Sequence, residues 1–439
     1  MSRPVYITLI LLLSLGLRMT AVQVLRGWRD GPSRRHGADE VEYDALGLRL
    51  ATSLHYSLDG SKSTSFRAPG FPLYLAVVYE AFGQDYRVAK LSFCVLGALG
   101  ALLTYRLAGE LVEEPRARWA GLLAACYPPN ILFATRFDSE NLFVPLLGLT
   151  LLATFGLARR PTARRGATAG LLLGWLALTR PNSALFLPVL VTLLGREQLR
   201  VGRLHPPSLI ALTLVACGTI GVWTGRNYYV HGRFVAIATN GGSTFYGGNN
   251  SVVARRSPLM GAWVPTSRLP GRREIDATPD EVSHDKMEWK LGLGWVRGHA
   301  RLMPQLLLAK IARFLSPDID SPNKAYVFFN AIADVPFLLI AAVGQVICIR
   351  RRRFWTTPWF ILQGVYFATF STAIIFWGSP RFRDSIAPVS MCFAAALLPS
   401  RGPGRANAEP DRAPLAVENR PSRKSPDLEA DKTPATSPV

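Results

Sequence analysis

The sequence predicts an all-α polytopic membrane protein with about ten transmembrane helices and interfacial helices in its outer loops, and three observations predict it. The first is composition: of 439 residues, 49% are apolar and 18% are charged, against roughly 25% charged in soluble domains. The second is distribution. The stretches Val5 to Leu17, Leu91 to Tyr105, Trp119 to Thr135, Asn141 to Ala158 and Phe354 to Pro380 contain no Asp, Glu, Lys or Arg, matching the ~20 residues a helix needs to cross ~30 Å of hydrocarbon. Mean hydropathy is only +0.18 because such segments are averaged with two long polar loops and a polar tail. The third is the placement of charge. A net charge of +20, from 50 basic and 30 acidic residues, would suggest a nucleic-acid partner in a soluble domain. Here the basic residues gather in short clusters between apolar segments, where they orient spans, so no nucleic acid is expected.

In chain order, spans are expected near 5–25, 88–108, 117–135, 141–158, 166–179, 182–195, 208–225, 327–349, 357–377 and 384–400. The first could pass for a signal peptide, but its apolar run is long and no small-x-small cleavage site follows, so it is read as a retained span. Arg106, Arg116 and Arg118, then Arg159 to Arg165, Arg196 to Arg203 and Arg350 to Arg353 fall in every second connection, which makes those loops cytoplasmic. The stretch Gly166 to Gly195 has basic flanks at both ends, so it should be a hairpin turning at Arg180 with arms of only ~21 Å. A turn sunk among helices and carrying an arginine is a functional suspect. Long outer segments are left at 26–87 and 226–326, with a catalytic transmembrane unit over 1–400. Residues 401–439, with seven prolines and nearly balanced charge, read as a disordered cytoplasmic tail. The five cysteines lie singly in apolar segments and suggest neither a disulfide frame nor a zinc site.

Most carboxylates collect at the outer ends of the spans, whereas carriers and channels place polar groups at mid-membrane. Asp39-Glu40-Val41-Glu42-Tyr43-Asp44 opens an interfacial helix, and its acids serve either catalysis or a capping box. Arg67 precedes a proline-stiffened return into the membrane, where aromatic anchoring is the alternative. Arg136-Phe137-Asp138-Ser139-Glu140 is a short outer loop whose acids must lie near the bilayer, free or paired with Arg136. Arg226-Asn227 and the glycine-rich run ending in Asn249-Asn250 suit a sugar or head group, or else form a plain turn. Arg381 and Arg383 stand on an outer loop, against the positive-inside preference; their guanidiniums suit phosphate oxygens, or pair with Asp384.

Taken in order, Asp-Glu before a Tyr after span one, Arg-x-Pro-x-x-Pro-Leu-Tyr, Ser-Glu at the start of span four, Thr-Arg-Pro-Asn, Trp-x-x-Arg-Asn, Gly-Gly-Asn-Asn and a closing Arg-Phe-Arg resemble the bacterial protein-mannosyltransferase-like, or aminoarabinose-transferase-like, glycosyltransferases of the GT-C fold. The resemblance covers roughly residues 5–400. It implies a bacterial inner-membrane enzyme whose outward-facing site moves a sugar from a polyprenyl-phosphate donor to an extracytoplasmic lipid, glycan or protein. By position it implies a catalytic Asp39 with Glu40 beside it and Glu140 as a second acidic site; Asp138 departs from the pattern. Arg381 and Arg383, with Arg180 and Arg226, would hold the donor phosphate, and Tyr43, Arg67, Asn227, Asn249 and Asn250 the sugar or head group. Some relatives bind a divalent metal near these acids; this chain offers no convincing ligand set, so a metal is left open. The rival function, a transporter or lipid flippase, would favour short outer loops and ionisable groups at mid-bilayer, where this chain has Asp334 as its one deep acid.

Overall fold

The computed structural model describes residues 2–33, 38–255, 257–317 and 324–398; the tail expected at 401–439 lies outside them. Among the described residues the chain is helical, with one isolated bridge between Ser57 and Ser63 and no strand. Among these residues five helices are long and apolar enough to cross a membrane: α1 (Arg3–Leu25), α4 (Tyr86–Gly109), α7 (Glu140–Arg159), α10 (Pro206–His231) and α16 (Thr357–Ile375). Between α1 and α4 lie α2 (Ala38–Ser53) and α3 (Gly70–Phe82). The latter is short but apolar and buries Phe71, Leu75 and Tyr79. The segment 26–87 therefore holds the expected helix at 38–53 and, at the proline-stiffened return, a second helix packed against it.

The remaining expected spans are recut. The segment 117–135 is broken into α5 (Glu114–Cys126) and α6 (Pro128–Phe133), because Pro128 and Pro129 have no N–H to continue the ladder. The hairpin does turn at Arg180. Its arms, α8 (Ala163–Thr179) and α9 (Phe186–Arg200), are joined by a 3₁₀ turn over Pro181–Leu185. At 17 and 15 residues they are longer than the apolar run alone suggests, because both helices continue into the basic clusters. Gly166, Gly170 and Gly174 form the contact stripe of α8: a Cβ at these sites would come within 2.1 Å of the Ser208 carbonyl, 2.4 Å of the Leu212 carbonyl and 2.6 Å of Thr219. This small-residue spacing lets the backbones of α8 and α10 touch.

After α10 the outer segment folds as α11 (Gly241–Gly248), α12 (Arg272–Asp276), α13 (Glu281–Gly298) and α14 (Met303–Leu315). These close over a small core that includes Tyr246, Val253, Leu269 and Leu306. The chain returns through α15 (Lys324–Arg350) and α16, then a short α17 (Pro380–Ser385) and α18 (Ala387–Leu397). At 11 residues α18 would reach only about 16 Å, and its side chains are almost all buried within the bundle core. The basic ends of the helices meet one another: Arg159 pairs with Glu110, and the Arg196 guanidinium lies 5.2 Å from the Phe360 ring. The opposite ends carry the two long connecting segments, with Asp39 and Glu42, and the loop with Asp138.

Candidate functional site

Helical geometry selects which of the acids converge. Successive residues of α2 are turned by 100°, so Asp39, Glu42 and Tyr43 share one face while Glu40 points elsewhere. Asp39 accepts from Arg67 at 2.6 Å and from Arg381 at 2.9 Å, and Glu42 accepts from the Arg67 Nε at 2.6 Å. The Arg67 guanidinium also lies 5.6 Å from the centre of the Tyr43 ring. The short loop before α7 brings Asp138 to 3.2 Å from Arg381, and Glu140, on the first residue of α7, accepts from Arg381 Nη2 at 2.9 Å. Arg180, at the turn between α8 and α9, closes on Glu140 as well. Its guanidinium lies over Phe143 and Phe382 at 5.5 and 5.9 Å.

Three guanidiniums and four carboxylates thus interlock, drawn from residues more than 300 positions apart. Arg136 is a looser fourth cation, 4.0 Å from Asp138. Asp138 and Glu140 form a buried floor, at 5% and 0% side-chain exposure, whereas Asp39 and Arg381 keep 27% and 31% and form an open rim. Burial pushes the Asp39 carboxyl up, but Arg67 and Arg381 together hold it below the ordinary range. For Asp138 burial prevails: with Glu140 beside it, and despite Arg381, its carboxyl is pushed up to about 6.

Several expected site residues are engaged elsewhere. Glu40 is fully buried and forms a two-pronged pair with Arg26, at 2.8 and 2.9 Å, which ties the end of α1 to α2. Arg383 is two residues from Arg381 on α17, a rotation of ~200°, so it faces away from the cluster. It bonds Asp334 at 2.7 Å, Asp384 at 2.9 Å and the carbonyls of Phe314 and Ser316 at 3.0 Å. The Tyr127 hydroxyl meets both of those acids, at 2.8 and 2.7 Å. Arg226 donates to the Thr64 carbonyl at 2.6 Å and lies over Trp223 at 4.8 Å, joining the two outer segments rather than facing the acids. Asn227 is buried between Ser65 and the carbonyls of Val235 and Ile237. Asn249 bonds the carbonyls of Phe245 and Ile375 and accepts from Lys310. Asn250 caps its own turn through Val252 and Val253. The amide groups of these three are occupied by the fold, which corrects their expected role toward a head group.

Glu42 is a cluster member that the sequence does not single out among the acids of 39–44; its position three residues after Asp39 is the signal that puts it on the same face. Among the described residues no group of three or more His, Cys, Asp and Glu is arranged to hold a metal ion. Asp39, Asp138 and Glu140 each face a guanidinium instead, so these residues do not fit an ion in this arrangement.

Residues 66–223 match the family model described as dolichyl-phosphate-mannose-protein mannosyltransferase. No curated protein is matched by sequence. Among solved structures, the oligosaccharyltransferase of Archaeoglobus fulgidus in complex with zinc and sulfate aligns with a TM-score of 0.54 at 15% identity, over 89% of this chain and 48% of that one. The archaeal oligosaccharyltransferase AglB from the same organism, solved with an inhibitory peptide and a dolichol-phosphate, aligns with a TM-score of 0.50 at 15% identity, over 89% and 49%. ArnT from Cupriavidus metallidurans bound to undecaprenyl phosphate aligns at 0.42 and 16% identity, over 88% of this chain and 78% of that one. The chain spans about half the length of the archaeal enzymes it matches. By fold it is a polytopic membrane protein of the GT-C type, protein-mannosyltransferase-like across residues 66–223.

Proposed function

We propose that the chain is a glycosyltransferase that moves a sugar from a polyprenyl-phosphate-linked donor to an acceptor on the outer side of a bacterial inner membrane. The observation that carries this reading is the joint of Asp39, Asp138 and Glu140 with Arg67, Arg180 and Arg381, buried at the floor and open at the rim. A transporter path would instead call for ionisable groups facing a passage at mid-bilayer; the deep Asp334 is closed off by Arg383 and Tyr127. Nucleotide sugars are confined to the cytoplasm, so an outward-facing transferase needs a donor already carried across on a lipid.

In this mechanism the donor phosphate displaces Asp39 and Asp138 from Arg381 and binds between it and Arg180, whose fork geometry suits phosphate oxygens. The acceptor oxygen bonds to the sugar C1 as the C1–O bond to phosphate breaks, and the electron pair leaves with the phosphate, where the guanidiniums offset the growing charge. Asp39, freed from one of its two arginines, takes the acceptor proton. Attack opposite the leaving group inverts the anomeric centre through an oxocarbenium-like state. Glu140 holds Arg180 and Arg381 in place.

General-base assistance typically contributes about 10²- to 10⁴-fold in rate. Asp39→Asn, nearly isosteric, should therefore lower kcat for transfer from a synthetic polyprenyl-phosphate sugar by at least about 100-fold without loss of folded protein. Retention of most activity would place the base elsewhere. Arg381→Ala should raise the donor KM or lower kcat, and an unchanged kinetic profile would reduce it to a structural ion pair.

A further inference from the structure

A second concavity adjoins the charged cluster. A cleft of about 410 Å³ opens between residues 58–66 of the first outer segment and the α11–α13 region of the second. Its walls include the aromatic rings of Phe66 and Trp263, with Ser243, Glu281, His284 and Glu288 between them. The indole is fixed: Trp263 Nε1 donates to the Ser243 carbonyl at 3.1 Å. It rests on Gly247, where any Cβ would lie 2.2 Å from that nitrogen. Even so, 37% of Trp263 remains exposed. Glu281 accepts from Thr64 and the Ser65 amide and so locks the two outer segments around the opening. Glu288 accepts from Thr266 at 2.7 Å and lies 3.6 Å from His284. Among the described residues no Lys or Arg lines the cleft, so its polar wall carries carboxylates and repels anions. Phe66 connects it to the proposed chemistry, because the Arg67 guanidinium bonded to Asp39 lies 5.1 Å from the Phe66 ring.

An indole held by its own backbone bond, flanked by carboxylates and hydroxyls and free of cations, matches the needs of one ligand class. A sugar ring presents C–H groups on its faces and hydroxyls around its edge, so it stacks on an aromatic and hydrogen-bonds to acids. We propose that this cleft is the acceptor subsite and that the acceptor is a carbohydrate, a neutral or amino-bearing sugar unit stacked on Trp263 with its hydroxyls directed to Glu288 and Ser243. The inference rests on the transferase reading for the word acceptor, and on the cleft alone for the word carbohydrate. Burial pushes the Glu288 carboxyl up to about 7, so it serves as donor or acceptor to a sugar hydroxyl near neutral pH.

The test is calorimetric titration of the full-length Asp39→Asn protein in nanodiscs, without donor, using cellotriose, a glucosamine trimer and a galacturonic acid trimer. Saturable binding of the neutral or amino trimer, at least tenfold weaker binding of the acidic one, and at least a tenfold loss in Trp263→Ala with a smaller loss in Trp263→Phe are expected. No binding of the neutral and amino trimers, equal binding of the acidic one, or an unchanged affinity in Trp263→Ala would overturn the proposal. The aromatic Trp263→Phe replacement controls for misfolding. Absence of transfer from a polyprenyl-phosphate sugar by the unsubstituted protein would overturn the transferase reading while leaving a measured sugar affinity intact. Loss of transfer in Asp39→Asn together with absent sugar binding would overturn only this inference.

Discussion

At the scale of single residues, the cluster is short of one positive charge if Arg136 is left out, since Arg67, Arg180 and Arg381 face Asp39, Glu42, Asp138 and Glu140. A phosphate entering such a site must be accompanied by loss of negative charge. Asp138, with its carboxyl pushed up to about 6, is the group that can supply it, because it faces Arg381 at 3.2 Å, with Arg136, Glu140 and Glu40 its other charged neighbours. Below pH 6 it is protonated and releases Arg381; above, it competes with phosphate. Polyprenyl-phosphate affinity should therefore rise as pH falls from 7.5 to 5.5, and Asp138→Asn should flatten the dependence at the high-affinity end. An unaltered slope in that variant would assign the titration to another group. The same scale explains which expectations about the site were readable in the sequence. Asp-Glu and Arg-x-Arg are visible as motifs, but their members separate by 100° and ~200° on a helix. A string of residues does not say that Asp39 turns toward Arg381 while Glu40 turns toward Arg26, or that Arg383 turns toward Asp334.

At the scale of elements, the arginines depend on how their helices are seated. Arg383 anchors the six-residue α17 to α14 and α15 through the Phe314 and Ser316 regions and Asp334, and this sets where Arg381 stands. Removing one partner of a buried charge network costs about 3–5 kcal/mol. Arg383→Met should therefore lower stability by roughly that amount and lower kcat as well, although Arg383 is not placed at the reacting atoms. Loss of stability with unaltered kcat in the folded fraction would show that Arg381 does not rely on this anchor. On the other side, Arg180 sits at the end of α8, whose register is set by its glycine stripe against α10. Gly170→Leu has no space at the Leu212 carbonyl, so it should force the helices apart, reduce the thermal midpoint and lower activity; a silent Gly170→Leu would argue against this packing. The Arg180 turn was readable from the sequence. The break at Tyr127-Pro128-Pro129 was missed because prolines are tolerated in apolar spans when neighbours satisfy the backbone. Its meaning lies in the contact of Tyr127 with Asp334 and Asp384, more than 200 residues away.

At the scale of the whole molecule, hydropathy and arginine placement were enough to predict the fold class and to separate two ends of the bundle. The internal fold of 226–326 was not readable, because its small core and its links through Glu281 to Thr64 and Ser65 are long-range. The separation of ends has a consequence that can be measured. If α8 begins in the cytoplasm, exposed Arg164 lies inside, and exposed Arg272 on the outer segment lies across the bilayer from it. The native thiols interfere little: Cys94, Cys348 and Cys392 are buried, Cys126 is half-buried and Cys217 is exposed, so the double replacement Cys126→Ser and Cys217→Ser provides a background. In intact cells a membrane-impermeant maleimide should label Arg272→Cys in that background, and should label Arg164→Cys only after permeabilisation. Labelling of both before permeabilisation would place the arginine-rich helix ends and the acidic cluster on one side. The positive-inside argument would then fail, and with it the need for a donor delivered across the membrane on a lipid.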